Sequence, residues 1–517
     1  MSKLKTISFA TGVVTLGAAA AVCHTSRTNA NDQRPNVIII NIDDLGYGCL
    51  SSFGATKVKT PNIDRLASEG RIFSDMHSAS AVSTPSRYAL MTGEYPFREN
   101  IFGVASFQTK LLVDQDKLTI ADVMKSSGYA TAAIGKWHLG FDEVKPDWNG
   151  DLKPGPLELG FDYYFGVPLV NSGPPFVFVE NHNVYGYDPS DPFVLGETPV
   201  TKPYPAKKIS NKIGGANSAH ALYDDEMLGT ELTSRSVKWI KEHKDEPFFL
   251  YFATTHIHNP ITPHPRFVGT SEAGIYGDFI HELDWMVGEV LNTLDAEGLS
   301  ENTMVIFTSD NGAMLNWSGF EAMDLGLKIN GDLFGFKFDS WEGGHRVPML
   351  VRWPAKIAAG SVSNQLISNV DIIHSLAALV GYELAEGDAR DSYNMLPAIV
   401  GESDAQLREE LVSASRNNGN FAYRKGDYVY ITKQGGGGFN TPEPGSAGFG
   451  GTYAAEYFGR ENSDMVGSKY RADAPKVQLY NLAEDIEQSQ NLATTEPEKL
   501  AEMKAGFKRI KSSNSTR

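Results

Sequence analysis

Two pairs of oxygen-donating side chains, Asp43-Asp44 and Asp310-Asn311, each follow closely on a short apolar run. Carboxylates and a carboxamide are hard donors. With no cysteine set and few imidazoles beside them in sequence, they suit calcium or magnesium rather than zinc. Either dipeptide alone is an ordinary turn sequence. What sets these two apart is their shared position at the ends of apolar strands.

Positioning them requires a sheet. Asn36 to Ile42 (NVIIINI) is almost wholly apolar and rich in β-branched residues, the composition of a strand buried on both faces of a parallel sheet. Thr60 and Pro61 supply a cap and a first-turn proline for a helix through Ile63, Leu66, Ala67 and Ile72, around Gly70. Helix-then-strand units recur at Ala121–Ser127 with Ala130–Ile134, at Leu232–His243 with Phe248–Ala253, and at His281–Leu299 with Met304–Thr308. This alternation predicts an α/β fold with a large mixed, mostly parallel sheet flanked by helices, and ligands gathered at the carboxyl ends of the strands. Beyond about residue 400 the pattern shifts. Tyr428–Thr432 and Val477–Tyr480 fit a small antiparallel sheet, and the glycine-rich run Gly435–Gly451 reads as a flexible loop. The expected organisation is a removable leader over 1–30, a site-bearing domain over 31–395, and a C-terminal α+β subdomain over 396–517 with the antiparallel sheet and a helix.

The leader rests on Lys3 and Lys5, the apolar run Ile7–Val22 and the polar tract from His24. The run is short for a spanning helix and is interrupted by Ser8, Thr11 and Thr15. Export to a bacterial periplasm or medium follows, with no stable membrane insertion after cleavage. Lipoprotein anchoring through Cys23 is the weaker reading, because bulky Val22 precedes it. Only Cys49 survives leader removal, so no intrachain disulfide forms. The chain carries 46 basic and 63 acidic residues, a net charge of −17, and loss of Lys3, Lys5 and Arg27 makes it more acidic still. Such a field excludes nucleic acid as a partner and requires an anionic substrate to be captured by a local cluster of cations.

Between the two oxygen pairs lies Ser83-Thr84-Pro85-Ser86-Arg87, followed by Leu90, Thr92 and Gly93. The segment resembles the S/C-x-P-S-R…T-G signature of the sulfatase family, whose first residue is oxidised after translation to Cα-formylglycine. The resemblance continues in the family's order. Asp43-Asp44 and Asp310-Asn311-Gly312 are similar to its metal pairs, and Gly135-Lys136-Trp137-His138-Leu139-Gly140 to its G-K-W-H-x-G segment. His258-Asn259-Pro260 is similar to its H-x-P element, Gly335-Phe336-Lys337 with Glu342-Gly343-Gly344 to its G-x-K…E-G-G element, and Leu479-Tyr480-Asn481-Leu482 with Asn491-Leu492 to its closing segment.

The resemblance implies an alkaline phosphatase-like fold and a sulfuric ester hydrolase. It also implies one Ca2+ held by Asp43, Asp44, position 83, Asp310 and Asn311. Serine at 83, where cysteine is commoner, implies either maturation by a serine-type, oxygen-independent formylglycine-generating enzyme or an engineered inactive form. A sulfate ester needs cations around its nonbridging oxygens and a proton for the departing alcohol. By resemblance, Arg87 holds the aldehyde hydrate, Lys136 and Lys337 contact sulfate oxygens, and His258 protonates the leaving oxygen with Lys337 sharing the task. His138 orients or deprotonates the hydrate. Trp137 and Cys49 are read as structural, and His256 and His264 as pocket or structural residues.

Export, acidity and the tract His256–Arg266 point to a sulfated polysaccharide or oligosaccharide, such as an algal galactan of the carrageenan type, rather than a small aryl sulfate. Tyr163, Tyr164, Phe176, Phe178, Tyr185 and Tyr187, in the insert Phe161–Pro205, either stack on sugar rings or pack as loop. Two other functions stay open. One is a phosphohydrolase of the alkaline phosphatase superfamily, whose two-zinc members need more histidine ligands than can be placed here. The other is a non-catalytic glycan-binding relative in which Ser83 stays unmodified.

Overall fold

The computed structural model describes residues 34–197 and 213–517. The leader, Cys23 and part of the insert lie outside the described residues. The main sheet is built from β1 (Asn36–Ile42), β2 (Arg71–Phe73), β3 (Ala130–Gly135), β4 (Tyr163–Gly166), β5 (Val179–Glu180), β6 (Asn183–Val184), β7 (Phe248–Ala253), β8 (Thr303–Ser309), β9 (Met349–Arg352) and β10 (Ser361–Ser363). Its order is β10-β2-β9-β8-β1-β7-β3-β4-β5-β6. The run β8-β1-β7-β3-β4 is parallel throughout, with antiparallel strands toward both edges.

The apolar runs dictate this placement. Along β1, Val37 and Ile39 enter one core while Ile38, Ile40 and Ile42 enter the other, the period of two expected of a strand covered on both faces. Helices α1 (Pro61–Glu69), α3 (Leu228–Glu242) and α4 (Gly274–Ala296) close one face; α2 (Ser83–Thr92) closes the other through Tyr88, Leu90 and Met91. Among the described residues, no helix is long and apolar enough to cross a membrane.

Several local expectations change in the structure. Thr60 does not cap α1; its hydroxyl donates to Asp64 Oδ1 at 3.2 Å, and the first-turn amides of Asn62 and Ile63 donate to Asp284 of α4 at 3.0 and 2.9 Å. Ile72 belongs to β2, not to the helix. Helix α4 starts at Gly274 rather than His281. Gly277 in its first turn allows close packing, since a Cβ there would lie 2.4 Å from Ser271 Oγ. In the insert, Tyr164, Phe176 and Phe178 are buried, Phe165 stacks on Phe178 at 5.1 Å, and Arg235 lies 4.0 Å over Phe165, so these rings pack the fold.

The antiparallel sheet near the C-terminus comprises β11 (Glu410–Ala414), β12 (Phe421–Lys425), β13 (Tyr428–Ile431) and β14 (Gln478–Asn481), with α5 (Pro497–Ser512) contributing Met503 and Ile510 to its core. The glycine-rich loop is held rather than free. Ser340 donates from its amide and hydroxyl to Gly436 O (2.7 and 3.0 Å), and Asn420 Nδ2 and Gln478 Nε2 donate to Gly435 O (3.0 and 3.1 Å). A Cβ at Gly436 or Gly438 would sit 2.4 Å from Asp339 Oδ1, so glycine is required there for close approach.

Arg408, just before β11, ties this sheet to the main core. Its guanidinium donates to both oxygens of Asp371 (2.7 and 2.5 Å), to Asp391 O (2.6 Å) and to Tyr95 Oη (3.2 Å), all in a buried setting. Removing one partner of such a pair strands the other charge away from water. Arg408→Met is therefore expected to lower the unfolding free energy by about 3–5 kcal/mol in a urea titration. A loss below about 1 kcal/mol, the scale of an exposed pair, would show that the link contributes little.

Candidate active site

The parallel run places every strand end on one edge, and backbone hydrogen bonds stitch those ends together. Asp43 N donates to His256 O (2.8 Å), Asp310 N to Ile42 O (2.9 Å) and Lys136 N to Ala253 O (2.8 Å). Residues following β1, β3, β7 and β8 are thereby brought to one place. Ser83 opens α2, all ten of whose residues are buried, so its side chain is held at the positive end of a fixed helix. Its Oγ lies 3.3 Å from Asp43 Oδ1 and 3.1 Å from Asn311 Oδ1.

Three carboxylates here face three cations. Lys136 Nζ is 2.7 Å from Asp43 Oδ2, Lys337 Nζ is 2.6 Å from Asp44 Oδ1, and Arg87 donates through Nε and Nη2 to Asp310 Oδ2 at 3.0 and 2.8 Å. Arg87 also donates to Lys136 O (3.1 Å) and to Tyr251 Oη (3.3 Å), and stands 3.7 Å from Asp43 Oδ1. Its donors thus address the Asp310 carboxylate and the framework. Lys337 is buried, not a surface lysine.

Burial pushes the Asp43 carboxyl up more than any one neighbour pulls it down, but Lys136, His258 and Arg87 together hold the group below the usual carboxylate range. Burial pulls Lys136 down to about 8 despite Asp43, with Arg87 adding like-charge repulsion. Lys337 goes the other way: burial disfavours its ammonium, and Asp44, Asp43 and Asp310 more than compensate. Burial takes His258 down to about 4 and His138 well below its ordinary value, so both imidazoles are neutral at pH 7. His258 Nε2 lies 3.9 Å from Asp44 Oδ2, and its Nδ1 lies 2.6 Å from Asn259 O and 3.2 Å from Asn171 Oδ1. His138 Nε2 meets Ala105 O at 3.3 Å while Nδ1 has no partner among the described residues.

Asp43, Asp44 and His258 each place a ligand atom within 4.8 Å of the others. Asn311 Nδ2 donates to Asp44 Oδ1 at 2.8 Å, which turns its Oδ1 toward Ser83, and Asp44 Oδ2 is buried without a hydrogen-bond partner among the described residues. Asp44 and His138 also hold left-handed backbone angles, φ 62° and 61°, conformations that cost an L-residue on the order of 1 kcal/mol or more. An orphaned carboxylate oxygen beside three other oxygen-bearing side chains fits a hard divalent cation such as calcium.

A second group, His77, Glu342 and His345, went unnoticed in sequence because the fold joins distant segments. The two histidines meet through Nδ1 at 3.1 Å, Asp75 takes His77 Nε2 at 2.9 Å, and Arg346 and Arg424 stand 3.4 and 3.9 Å from Glu342. Those mutual bonds use the imidazole nitrogens, and two guanidinium groups oppose a cation. The turn it braces supports the site: Gly312, next to Asn311, donates to Gly344 O at 2.9 Å, and a Cβ at Gly312 would fall 1.9 Å from Gly343 O. His256 is buried beside the site with Nε2 3.5 Å from Glu282 and its ring 4.1 Å from that of Phe279. Trp137 is buried and donates to Gly140 O at 2.9 Å, and burial pushes the Cys49 thiol up to about 12. All three pack the structure.

Comparison with known proteins bears on the family. The model of the sulfatase family matches residues 35–382. An N-acetylgalactosamine-6-O-sulfatase of Bacteroides thetaiotaomicron is 38% identical over 93% of this chain and 94% of its own length, and human steryl-sulfatase is 32% identical over 73% and 72%. A solved Bacteroides thetaiotaomicron structure from work on the metabolism of multiple glycosaminoglycans superposes with a TM-score of 0.80 at 36% identity, covering 93% of this chain and 100% of that one. A neocarrahexaose complex at 23% identity and TM-score 0.68 shares the fold over 93% and 94% of the two chains. The chain belongs to the sulfatase family and is a sulfuric ester hydrolase.

Proposed function

We propose that this exported enzyme removes a sulfate ester from a sulfated glycan, with 6-O-sulfated N-acetylgalactosamine as the first substrate to test, after Ser83 is oxidised to formylglycine. The observation that carries the reading is Ser83 Oγ within 3.3 Å of Asp43 and 3.1 Å of Asn311, beside the partnerless Asp44 oxygen. The glycan preference rests on the Bacteroides relative named for that sugar, similar along nearly its whole length. The carrageenan-oligosaccharide complex, at 23% identity, supports the fold alone.

Asp43, Asp44, Asp310, Asn311 and position 83 would hold one calcium ion, which when bound supplies positive charge against the sulfuryl oxygens. A hydrated formylglycine would supply two geminal hydroxyls, one to attack sulfur and one to release sulfate afterwards without attack by water. Arg87 keeps the Asp310 carboxylate in place and adds fixed positive charge near position 83. Lys136 and Lys337 are poised to exchange their carboxylate partners for sulfate oxygens. His258, neutral without substrate, gains affinity for a proton from the anion's charge and passes it to the leaving oxygen, with Lys337 as the neighbouring cation. His138, free at Nδ1, orients the hydrate. A serine-type, oxygen-independent maturation enzyme and delivery to the periplasm or medium complete the proposal.

Four measurements test it. Peptide mass analysis of protein from its native host should find residue 83 lighter than serine by two hydrogen atoms, and Ser83→Ala should abolish sulfate release; an unmodified, fully active Ser83 would refute the nucleophile. Calcium should raise the melting temperature, by roughly 2.7 kcal/mol of stability at a hundredfold excess over Kd, and Asp44→Asn should remove that response. A wild-type melt indifferent to calcium and chelator would remove the ion. His258→Ala should cut kcat/KM on a sugar sulfate by about 10²–10⁴ but far less on an aryl sulfate whose phenol leaves without a proton. Equal losses on both substrates would take the proton from His258.

A further inference from the structure

Among the described residues many basic side chains of this acidic protein pair with carboxylates, and Arg416 is one of those that do not. It is exposed, and among the described residues no carboxylate lies within ion-pair distance of it. Nor is it loose. Its guanidinium carbon lies 4.5 Å from the centre of the Phe439 ring, a cation–π arrangement that fixes the side chain before any ligand arrives. Phe439 packs edge-on against Phe338 with ring centres 4.9 Å apart, and the Arg416 amide donates to Phe338 O at 3.0 Å.

Phe338 directly follows Lys337, whose Nζ lies 5.2 Å from the Phe338 ring and 2.6 Å from Asp44 Oδ1. A cation, two partly exposed aromatic rings and a second cation therefore form a row leading away from the site. The backbone holds this row under strain. Phe338 has φ 81°, a left-handed angle disfavoured for a bulky residue, and its amide is tied to Ala81 O at 2.8 Å. The glycine-rich loop that presents Phe439 can approach only because Gly436 and Gly438 lack a Cβ against Asp339.

An acidic protein needs local cations to hold an anionic polymer, and Arg is suited to planar recognition of carboxylate or sulfate. Building on the glycan reading above, we propose that Arg416, with Phe439 and Phe338, forms a subsite for an anionic group on the sugar next to the one bearing the scissile sulfate. The aromatic rings face the apolar side of that sugar, and the guanidinium takes its carboxylate or second sulfate.

The test compares matured wild type and Arg416→Gln on four 6-sulfated N-acetylgalactosamine substrates: the free monosaccharide, and oligosaccharides whose neighbouring sugar is neutral, carries a carboxylate, or carries a sulfate. Arg416→Gln should lower kcat/KM about tenfold, the scale of one charge-assisted hydrogen bond, on the carboxylate or the sulfate substrate while sparing the monosaccharide and the neutral neighbour. Whichever anionic substrate loses more identifies the group. Phe439→Leu should weaken the same substrate through KM. Unchanged rates on both anionic oligosaccharides, or an equal loss on the monosaccharide, would overturn the subsite and leave the glycan sulfatase reading intact. A wild-type enzyme that cleaves none of the four would overturn both.

Discussion

Three buried carboxylates at the ends of neighbouring strands repel one another strongly where little water screens them. Asp43, Asp44 and Asp310 can share one place only because Lys136, Lys337 and Arg87 face them, each at hydrogen-bonding distance. The parallel sheet makes this balance possible, since β1, β3, β7 and β8 all deliver their following residues to the same edge. The site is consequently a net-neutral cluster with room for exchange: a divalent cation can take carboxylate oxygens while an arriving sulfate takes the ammonium groups. By our proposal, the cations that offset these carboxylates are also those that meet the sulfate.

The surrounding structure fixes the cluster in layers. α2 is buried along its whole length, so Ser83 has little freedom. The turn Glu342–His345 presses against Gly312; its Glu342 is held by Arg346 and Arg424, and its His345 by His77 and Ser340 O. Arg424 lies on β12 of the antiparallel sheet, and Phe439 and Arg416 flank the same sheet. The C-terminal segment thus braces the site, and by our proposal it also meets the substrate.

Much of this was legible in sequence wherever the signal was local. β1, β7 and β8 were readable from short apolar runs, because burial on both faces leaves no polar position, and the oxygen donors announce themselves by following those runs. Lys136, His138, His258 and Lys337 were readable only through family resemblance, since nothing in an isolated Lys-Trp-His or Gly-Phe-Lys fixes what it faces. Long-range contacts were not legible. Asp284 capping α1 in place of Thr60, Arg408 bridging to Asp371, and the His77–His345 contact each join residues far apart in the chain. The glycine-rich run misled: it suggested mobility, when Gly436 and Gly438 answer to close packing against Asp339.

The claim on which the rest depends is that one ion belongs among Asp43, Asp44, Asp310 and Asn311 beside position 83. A crystal structure of enzyme matured in its native host and grown with calcium tests it most directly, with the ion identified by anomalous scattering. The account predicts a single calcium bounded by those four side chains and residue 83, with Lys136 and Lys337 drawn off their carboxylates toward a bound anion. Calcium absent from that place, or held instead by His77, Glu342 and His345, would contradict it.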